Sequence, residues 1–256
     1  MTSLTVTVIT KNEAHNIEAC LRSAPASDQQ VVLDSGSTDR TVEIARALGA
    51  EVSVDTDWQG FGFQKNRALA LAQSDWVLSL DADERVSPAL RDEIKAVLLS
   101  PLFDVYSVCR LSSYCGQDIL HSGWYPDRVI RLFRRGSATF SNDLVHESII
   151  VEGAVGQLEA PLLHTSIRTL EDALDKVNRY SSAGAKNLHI KGHTSSVGKA
   201  LGHGLWAFVR TYFLRLGFLD GQMGLLLAIS NAEGTYYRYL KLWLLNRAAP
   251  HAPPEP

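Results

Sequence analysis

Residues 31–49 read VVLDSGSTDRTVEIARALG. Val31 to Leu33 are strand formers that end on Asp34, and a Ser-Gly-Ser-Thr loop follows. Val42, Ala45 and Leu48 then share one helical face, which Gly49 stops. One strand, one tight loop and one helix are thus packed into nineteen residues. The same unit recurs on both sides. Upstream, residues 4–9 form a β-branched run, and Ile17, Cys20, Leu21 and Ala24 follow at helical spacing. Downstream come a short strand at 52–54, a helix over 63–72, a strand over 76–80 and a helix opened by Ser87-Pro88. Such alternation predicts an α/β fold with a mostly parallel sheet covered on both faces. Ligands of these sheets bind beyond the carboxyl ends of the strands. Asn12, Asp34, Asp81 and Asp83 all fall there.

The chain has 256 residues, 45% of them hydrophobic, which is ample for a core and allows one large domain or a domain with an appendage. A formal charge of −3 supplies no global basic field, so nucleic acid is not expected as a partner. Cys20, Cys109 and Cys115 are odd in number and lack C-x-x-C spacing, which points away from a disulfide framework or zinc knuckle and toward a reducing compartment. The opening MTSLTVTVITKNE lacks the basic region and cleavage site of a signal peptide, and no run reaches 18 apolar residues. A cytoplasmic location follows as the expectation.

From Asp104 to His164 the texture changes to short alternating segments, VYSVCRL, RVIRLF and SIIVEG, which predict a mixed β extension. Thr169 to Asp172 has the form of a capping box, with Leu170, Leu174, Val177 and Ser181 at helical spacing behind it. Beyond Thr194 the chain is rich in aromatics and cations. Lys199, His203 and Arg210 recur at spacings of four and seven, with Trp206 alongside. Two roles suit that region: an interfacial helix at a membrane surface, or a helical hairpin packed on the catalytic domain or a second subunit. The expected division is a catalytic domain over 1–193, an aromatic and basic helical region over 194–249, and a tail over 250–256.

Asp81 and Asp83 stand in LSLDADER, residues 78–85, directly after a buried strand. Neighbouring carboxylates repel unless a cation, a cationic side chain or solvent offsets them. With Asp34 at the same sheet edge, a divalent ion with oxygen ligands is the expected partner, and Mg²⁺ or Mn²⁺ normally brings phosphate oxygens with it. The Ser35 to Thr38 turn exposes backbone N–H groups that either hold an anion or cap the helix.

VITKNEAHNIEACLRS at 8–23, VVLDSGSTDRTVEIA at 31–45, QKNRALALAQSDWVLSLDADE at 64–84, RLF at 131–133 and VHES at 145–148, taken in this order, resemble glycosyltransferase family 2. The resemblance is strongest to the bacterial branch that adds a hexose to the heptose of the lipopolysaccharide inner core. It implies the GT-A nucleotide-sugar fold and an inverting transfer from a nucleotide-sugar donor, with UDP-glucose expected, to a saccharide or lipid-linked acceptor. It implies that Thr10, Asn12, Glu13 and Asp34 line the nucleotide pocket, that Lys65 and Arg67 lie near the donor, and that Asp81 approaches the nucleoside. Asp83 would bind the metal, with His164 as a second ligand. Lys176 and Arg179 would grip the diphosphate. The family's usual Glu-Asp pair is replaced here by Asn142-Asp-Leu-Val-His-Glu147, so the base that deprotonates the acceptor is assigned to Glu147, with Asp143 in reserve.

Trp124 to Asp127 offers either a stacking wall for an acceptor sugar or plain packing. The setting implied is the inner face of the cytoplasmic membrane, with the C-terminal helices touching lipid or forming a homo-oligomer. Two other readings start from the same residues. LSLDADERV also resembles the apolar strand and D-x-D of a haloacid-dehalogenase-type phosphatase, with Asp81 as nucleophile, although Arg85 stands where Thr is typical. A membrane-surface adaptor would use the basic, aromatic C-terminus and leave the carboxylates unexplained.

Overall fold

A computed structural model describes residues 2–141 and 148–248. In chain order the elements are β1 (Leu4–Thr10), α1 (Ile17–Ser23), β2 (Gln29–Asp34), α2 (Thr41–Ala47), β3 (Glu51–Val54), α3 (Phe61–Ala70), β4 (Trp76–Asp81), β5 (Glu84–Val86), α4 (Pro88–Leu99), β6 (Val105–Tyr114), β7 (Gln117–Asp118), β8 (Asp127–Arg134), β9 (Ala138–Phe140), β10 (Ile149–Val151), β11 (Val155–Ile167), α5 (Leu170–Ile190), α6 (Val197–Val209) and α7 (Gly221–Ala248). The chain forms two compact units. One is Met1–Leu111 with Asp127–His164, and the other is Ser112–Pro126 with Thr165–Pro256.

The first unit is built on a sheet in the order β3-β2-β1-β4-β8-β6-β11-β5. β1 runs parallel to β2 and β4, and β2 parallel to β3, whereas β8 joins β4 and β6 antiparallel and β11 joins β5 antiparallel. This is the α/β architecture expected, a parallel block extended by mixed strands. β4 shows why it forms. Trp76, Leu78 and Leu80 enter one core cluster together with Val6, Val8 and α1's Cys20, while the alternate residue Val77 enters another with Val105 and Phe133. A strand covered on both faces is apolar almost throughout, as WVLSL is but for Ser79. Each fully buried Leu or Val contributes roughly 1.5–3 kcal/mol. α4 starts where Ser87-Pro88 predicts, since Ser87 Oγ accepts from Leu90 N at 3.1 Å with proline in the first turn.

In the second unit, α5 opens with the expected capping box between Thr169 and Asp172. After α6 the helix loosens into a π turn at Arg210–Leu214, and a 3₁₀ turn at Gly217–Asp220 leads into α7. Asp220 is buried and ties this bend to the segment after β7: its carboxylate accepts from Leu120 N at 3.0 Å, His121 N at 3.1 Å and Ser122 Oγ at 2.9 Å. Lys241 on α7 donates to Asn178 Oδ1, Ser181 Oγ and Ser182 Oγ on α5, each at 2.8 Å. These ties explain why the boundary expected between residues 193 and 194 falls inside the second unit. α5 belongs with the helices that follow it, and so does the 112–126 segment. Among the described residues no single helix is long and apolar enough to cross a membrane. The pair Val197–Leu214 and Gly217–Arg247, bent by 71°, passes only as a pair.

Candidate active site

The carboxyl end of β4 carries a dense ionic network within the first unit. Asp81, the last residue of β4, receives Lys65 Nζ from α3 at 2.9 Å and an Arg131 guanidinium nitrogen from β8 at 2.7 Å. Arg131 also donates through Nε and NH2 to the two oxygens of Glu84, at 2.8 and 2.7 Å. Glu84 in turn accepts the backbone N–H of Asp81 at 3.0 Å. Arg110 stands 3.5 Å from Glu84 and forms a 2.7 Å bond to Asp127. The Glu84 side chain is fully buried and that of Arg131 nearly so. Burial by itself would raise the Asp81 pKa, but Arg131 and Lys65 beside it override burial and hold its carboxyl well below the usual carboxylate range.

Asp83 sits in the turn between β4 and β5. The pairing of β5 with β11 sets His164 opposite Glu84, which brings His164 Nε2 to 3.3 Å from Asp83 Oδ2. An aspartate oxygen and an imidazole nitrogen facing one another are donors suited to a divalent cation. No third His, Cys, Asp or Glu joins them among the described residues. The donor set therefore fits an ion that takes most of its ligands from substrate phosphates and water, as Mg²⁺ commonly does. The expectation of three converging carboxylates gives way to a different arrangement. Asp81 is neutralised by the chain's own cations, Asp83 faces His164, and Asp34 turns into its own loop.

Asp34 ends β2 beside Thr10, its register partner at the end of β1. Asp34 is 1% exposed, and its carboxylate accepts from Gly36 N at 2.9 Å and Ser37 N at 2.8 Å, and also from Ser37 Oγ. Ser37 Oγ accepts from Asn12 N at 2.7 Å, and Asn12 Oδ1 accepts from Thr38 N at 2.8 Å. Asn12 holds this position at φ 57°, a left-handed conformation that asparagine tolerates better than most residues. Glu13 N donates to Thr41 Oγ1 at 2.8 Å, fixing the same loop to α2. The N–H groups of the Ser-Gly-Ser-Thr turn are used within the loop: Ser35 N donates to the Thr10 carbonyl, Gly36 N and Ser37 N to Asp34, and Thr38 N to Asn12. The Thr10 hydroxyl is buried without a hydrogen-bond partner, and such a group marks a place where a ligand atom can complete the pairing.

On α3, Gln64 donates to Ser35 Oγ at 2.9 Å, and Arg67 pairs with Asp57 at 2.8 Å and Asp55 at 3.4 Å. Thr10, Asn12, Glu13, Asp34, Lys65, Arg67, Asp81, Asp83 and His164 thus all belong to the first unit. Lys176 and Arg179 belong to α5 of the second unit, where the Lys176 amine donates to the Ser166 carbonyl and Arg179 is exposed. Asp143 and Glu147 lie outside the described residues. The residues flanking them are pinned. Asn66 makes a two-way bond to the Phe140 backbone at 2.8 and 2.9 Å, and Ser141 N donates to Ser148 O at 2.8 Å.

Sequence reasoning missed the buried Glu84, the double role of Arg131 and the anchoring by Gln64 and Asn66. All four stand in the motif segments, and a charged residue inside a strand, as in RVIRLF, is the signal that a partner waits across the sheet.

The family model described as glycosyl transferase family 2 matches residues 5–141. An uncharacterized glycosyltransferase of Rickettsia prowazekii (strain Madrid E) is 32% identical over 94% of this chain and 87% of its own length. The lipopolysaccharide core biosynthesis glycosyltransferase LpsC of Rhizobium meliloti (strain 1021) is 28% identical over 92% of this chain and 93% of its own. The crystal structure of S. aureus TarS in complex with UDP-GlcNAc covers 96% of this chain and 92% of that one, with 14% identity and a TM-score of 0.49. The phosphatase reading requires Asp81 as an open nucleophile, whereas Lys65 and Arg131 clamp it, and the adaptor reading has no use for the network. The chain belongs to glycosyl transferase family 2.

Proposed function

We propose that the protein is a metal-dependent inverting hexosyltransferase that moves glucose from UDP-glucose to a lipopolysaccharide core or another lipid-linked saccharide. The observation that carries this reading is the Asp83–His164 pair beside a clamped Asp81. Asp83 and His164 would hold Mg²⁺ or Mn²⁺, which when bound supplies charge neutralisation at the departing diphosphate. Asp34, the unpaired Thr10 hydroxyl and the Asn12–Glu13 loop would receive the base and ribose. Lys65 and Arg131 keep Asp81 ionised and fixed in direction, so that it offers oxygens to the nucleoside without rearranging. Arg67 would hold the donor side of α3 in place through Asp55 and Asp57.

Glu147 is proposed as the base that takes the acceptor hydroxyl proton on the face opposite the leaving diphosphate, with Asp143 as the alternative. Lys176 and Arg179 are proposed as contacts of the diphosphate. The name of the Rhizobium meliloti relative supports the acceptor class. The exposed Phe213, Leu214, Phe218 and Leu219 around the bend before α7 support a peripheral position on the inner face of the cytoplasmic membrane. A homo-oligomer through the same helices is the second use of that surface.

The test is nucleotide release from a panel of UDP- and GDP-sugars with a heptose-containing core oligosaccharide as acceptor, in Mn²⁺ and in EDTA. UDP release confined to UDP-glucose and abolished by EDTA is expected. Release undiminished by EDTA would contradict the metal assignment, and preference for a GDP-sugar would contradict the donor.

A further inference from the structure

The second unit contains a cavity of about 700 Å³, within the range of small-molecule sites. Its lining includes Lys176, Arg210, Arg215 and Arg238, and no aspartate or glutamate. The contrast with the first unit is sharp. There, Lys65, Arg131, Arg110, Arg128 and Arg134 are each matched by a carboxylate of the chain within 2.9 Å. Among the described residues Arg210, Arg215 and Arg238 form no ion pair, although the whole chain carries more acids than bases. The three exposed arginines line the cavity with positive charge that no carboxylate of the described residues matches, and an anion entering the cavity offsets it.

The cavity is shaped to keep these cations in place. The Arg215 guanidinium lies over Gly123, where a Cβ would stand 2.1 Å from its nitrogen, so only glycine leaves room for it. The Arg215 carbonyl accepts Ser122 N at 2.8 Å, which fixes the backbone from which the side chain extends. Arg238 passes Gly184 less closely, its Nε 2.9 Å from where a Cβ would stand.

The remaining walls are aromatic and hydroxylic. Trp124 meets Tyr114 edge-on at 6.1 Å, and His203 stacks on Tyr239 at 3.9 Å. Flat rings carry a negative face that attracts the weakly positive C–H face of a pyranose. Ser230, Asn231 and Thr235 add donors and acceptors suited to sugar hydroxyls. Cations, rings and hydroxyls in one cavity fit neither a neutral sugar nor a bare inorganic ion.

We propose that this cavity binds an anionic saccharide, a sugar bearing phosphate or carboxylate groups. Taken together with the transferase reading, on which this step rests, the ligand is the charged saccharide portion of the acceptor, and the cavity selects acceptors by their charge.

Binding is read by calorimetry and by quenching of tryptophan fluorescence on the full chain with UDP present at saturation. The probes are glucose 6-phosphate, glucose, inorganic phosphate and phosphatidylglycerol vesicles. Glucose 6-phosphate is expected to bind at least tenfold more tightly than glucose or phosphate. Arg210→Gln and Arg238→Gln should each weaken it about 10- to 100-fold, the range for hydrogen bonds to a charged group. The thermal shift produced by UDP should not change, which shows that the variants fold. Equal affinity for glucose and its phosphate, undiminished binding in both variants, or binding of vesicles without binding of the sugar phosphate would each overturn the proposal. Retained sugar-phosphate binding in a protein that ignores every nucleotide would uphold the cavity and overturn the transferase reading instead.

Discussion

Arg131 joins the two acidic residues that the strand end could not otherwise hold so close, Asp81 at its margin and Glu84 beneath it. Removing one member of a buried ion pair leaves the others uncompensated, so Arg131→Met should lower unfolding free energy by about 3–5 kcal/mol, read as a fall in denaturant midpoint. Asp83→Ala, at a partly exposed turn, should change it by only about 0.5 kcal/mol. Asp81 also sets a pH dependence. Its pKa is depressed in the folded state, so its stabilisation is complete above the unfolded value near 4 and is lost as pH falls through the lower folded value. The acid limb of stability should therefore flatten in Asp81→Asn, and an unchanged limb below about pH 4 would refute the clamp. The sequence shows Asp81 and Asp83 as candidates because two carboxylates after an apolar strand are conspicuous. It hides that Arg131 meets Asp81, since Arg131 arrives from a strand some fifty residues later.

Among the elements, the parallel strands and α5 were legible, because each carries its own signal: a β-branched run in β1, a nearly continuous apolar run in β4, and a capping box at Thr169. β5 was not. Three residues give no periodicity, and its existence depends on pairing with β11, which is also what sets His164 beside Asp83. The insertion of β8 between β4 and β6 was equally hidden, since antiparallel order is decided by which edge is open rather than by the strand's own residues. The anchors Asn66–Phe140 and Ser141–Ser148 hold the two ends of the segment carrying Asp143 and Glu147. If Glu147 is the base, Glu147→Gln should reduce single-turnover transfer about 10²–10⁴-fold with little change in donor binding. Near-normal transfer in that variant, with the loss appearing in Asp143→Asn, would move the role to Asp143.

For the whole molecule, the aromatic and basic C-terminal sequence reads as one region from residue 194, and the second compact unit comprises Ser112–Pro126 with Thr165–Pro256. The buried Asp220 explains the difference, because its partners lie a hundred residues earlier and leave no trace in local sequence. If the bend before α7 meets lipid, the intact protein should sediment with anionic vesicles, less so as salt shortens the Debye length to about 8 Å at 0.15 M. Phe213→Ser with Leu219→Ser should weaken this further, and absence of binding at low salt would return the surface to contact between copies. The central claim, that Asp83 and His164 jointly hold the ion required for donor binding, is tested most directly by UDP-glucose affinity measured with and without Mn²⁺ in the wild type, Asp83→Ala and His164→Ala. The account predicts a Mn²⁺-dependent gain in the wild type that both variants lose while their melting temperatures stay unchanged. A full Mn²⁺-dependent gain in either stably folded variant would contradict it.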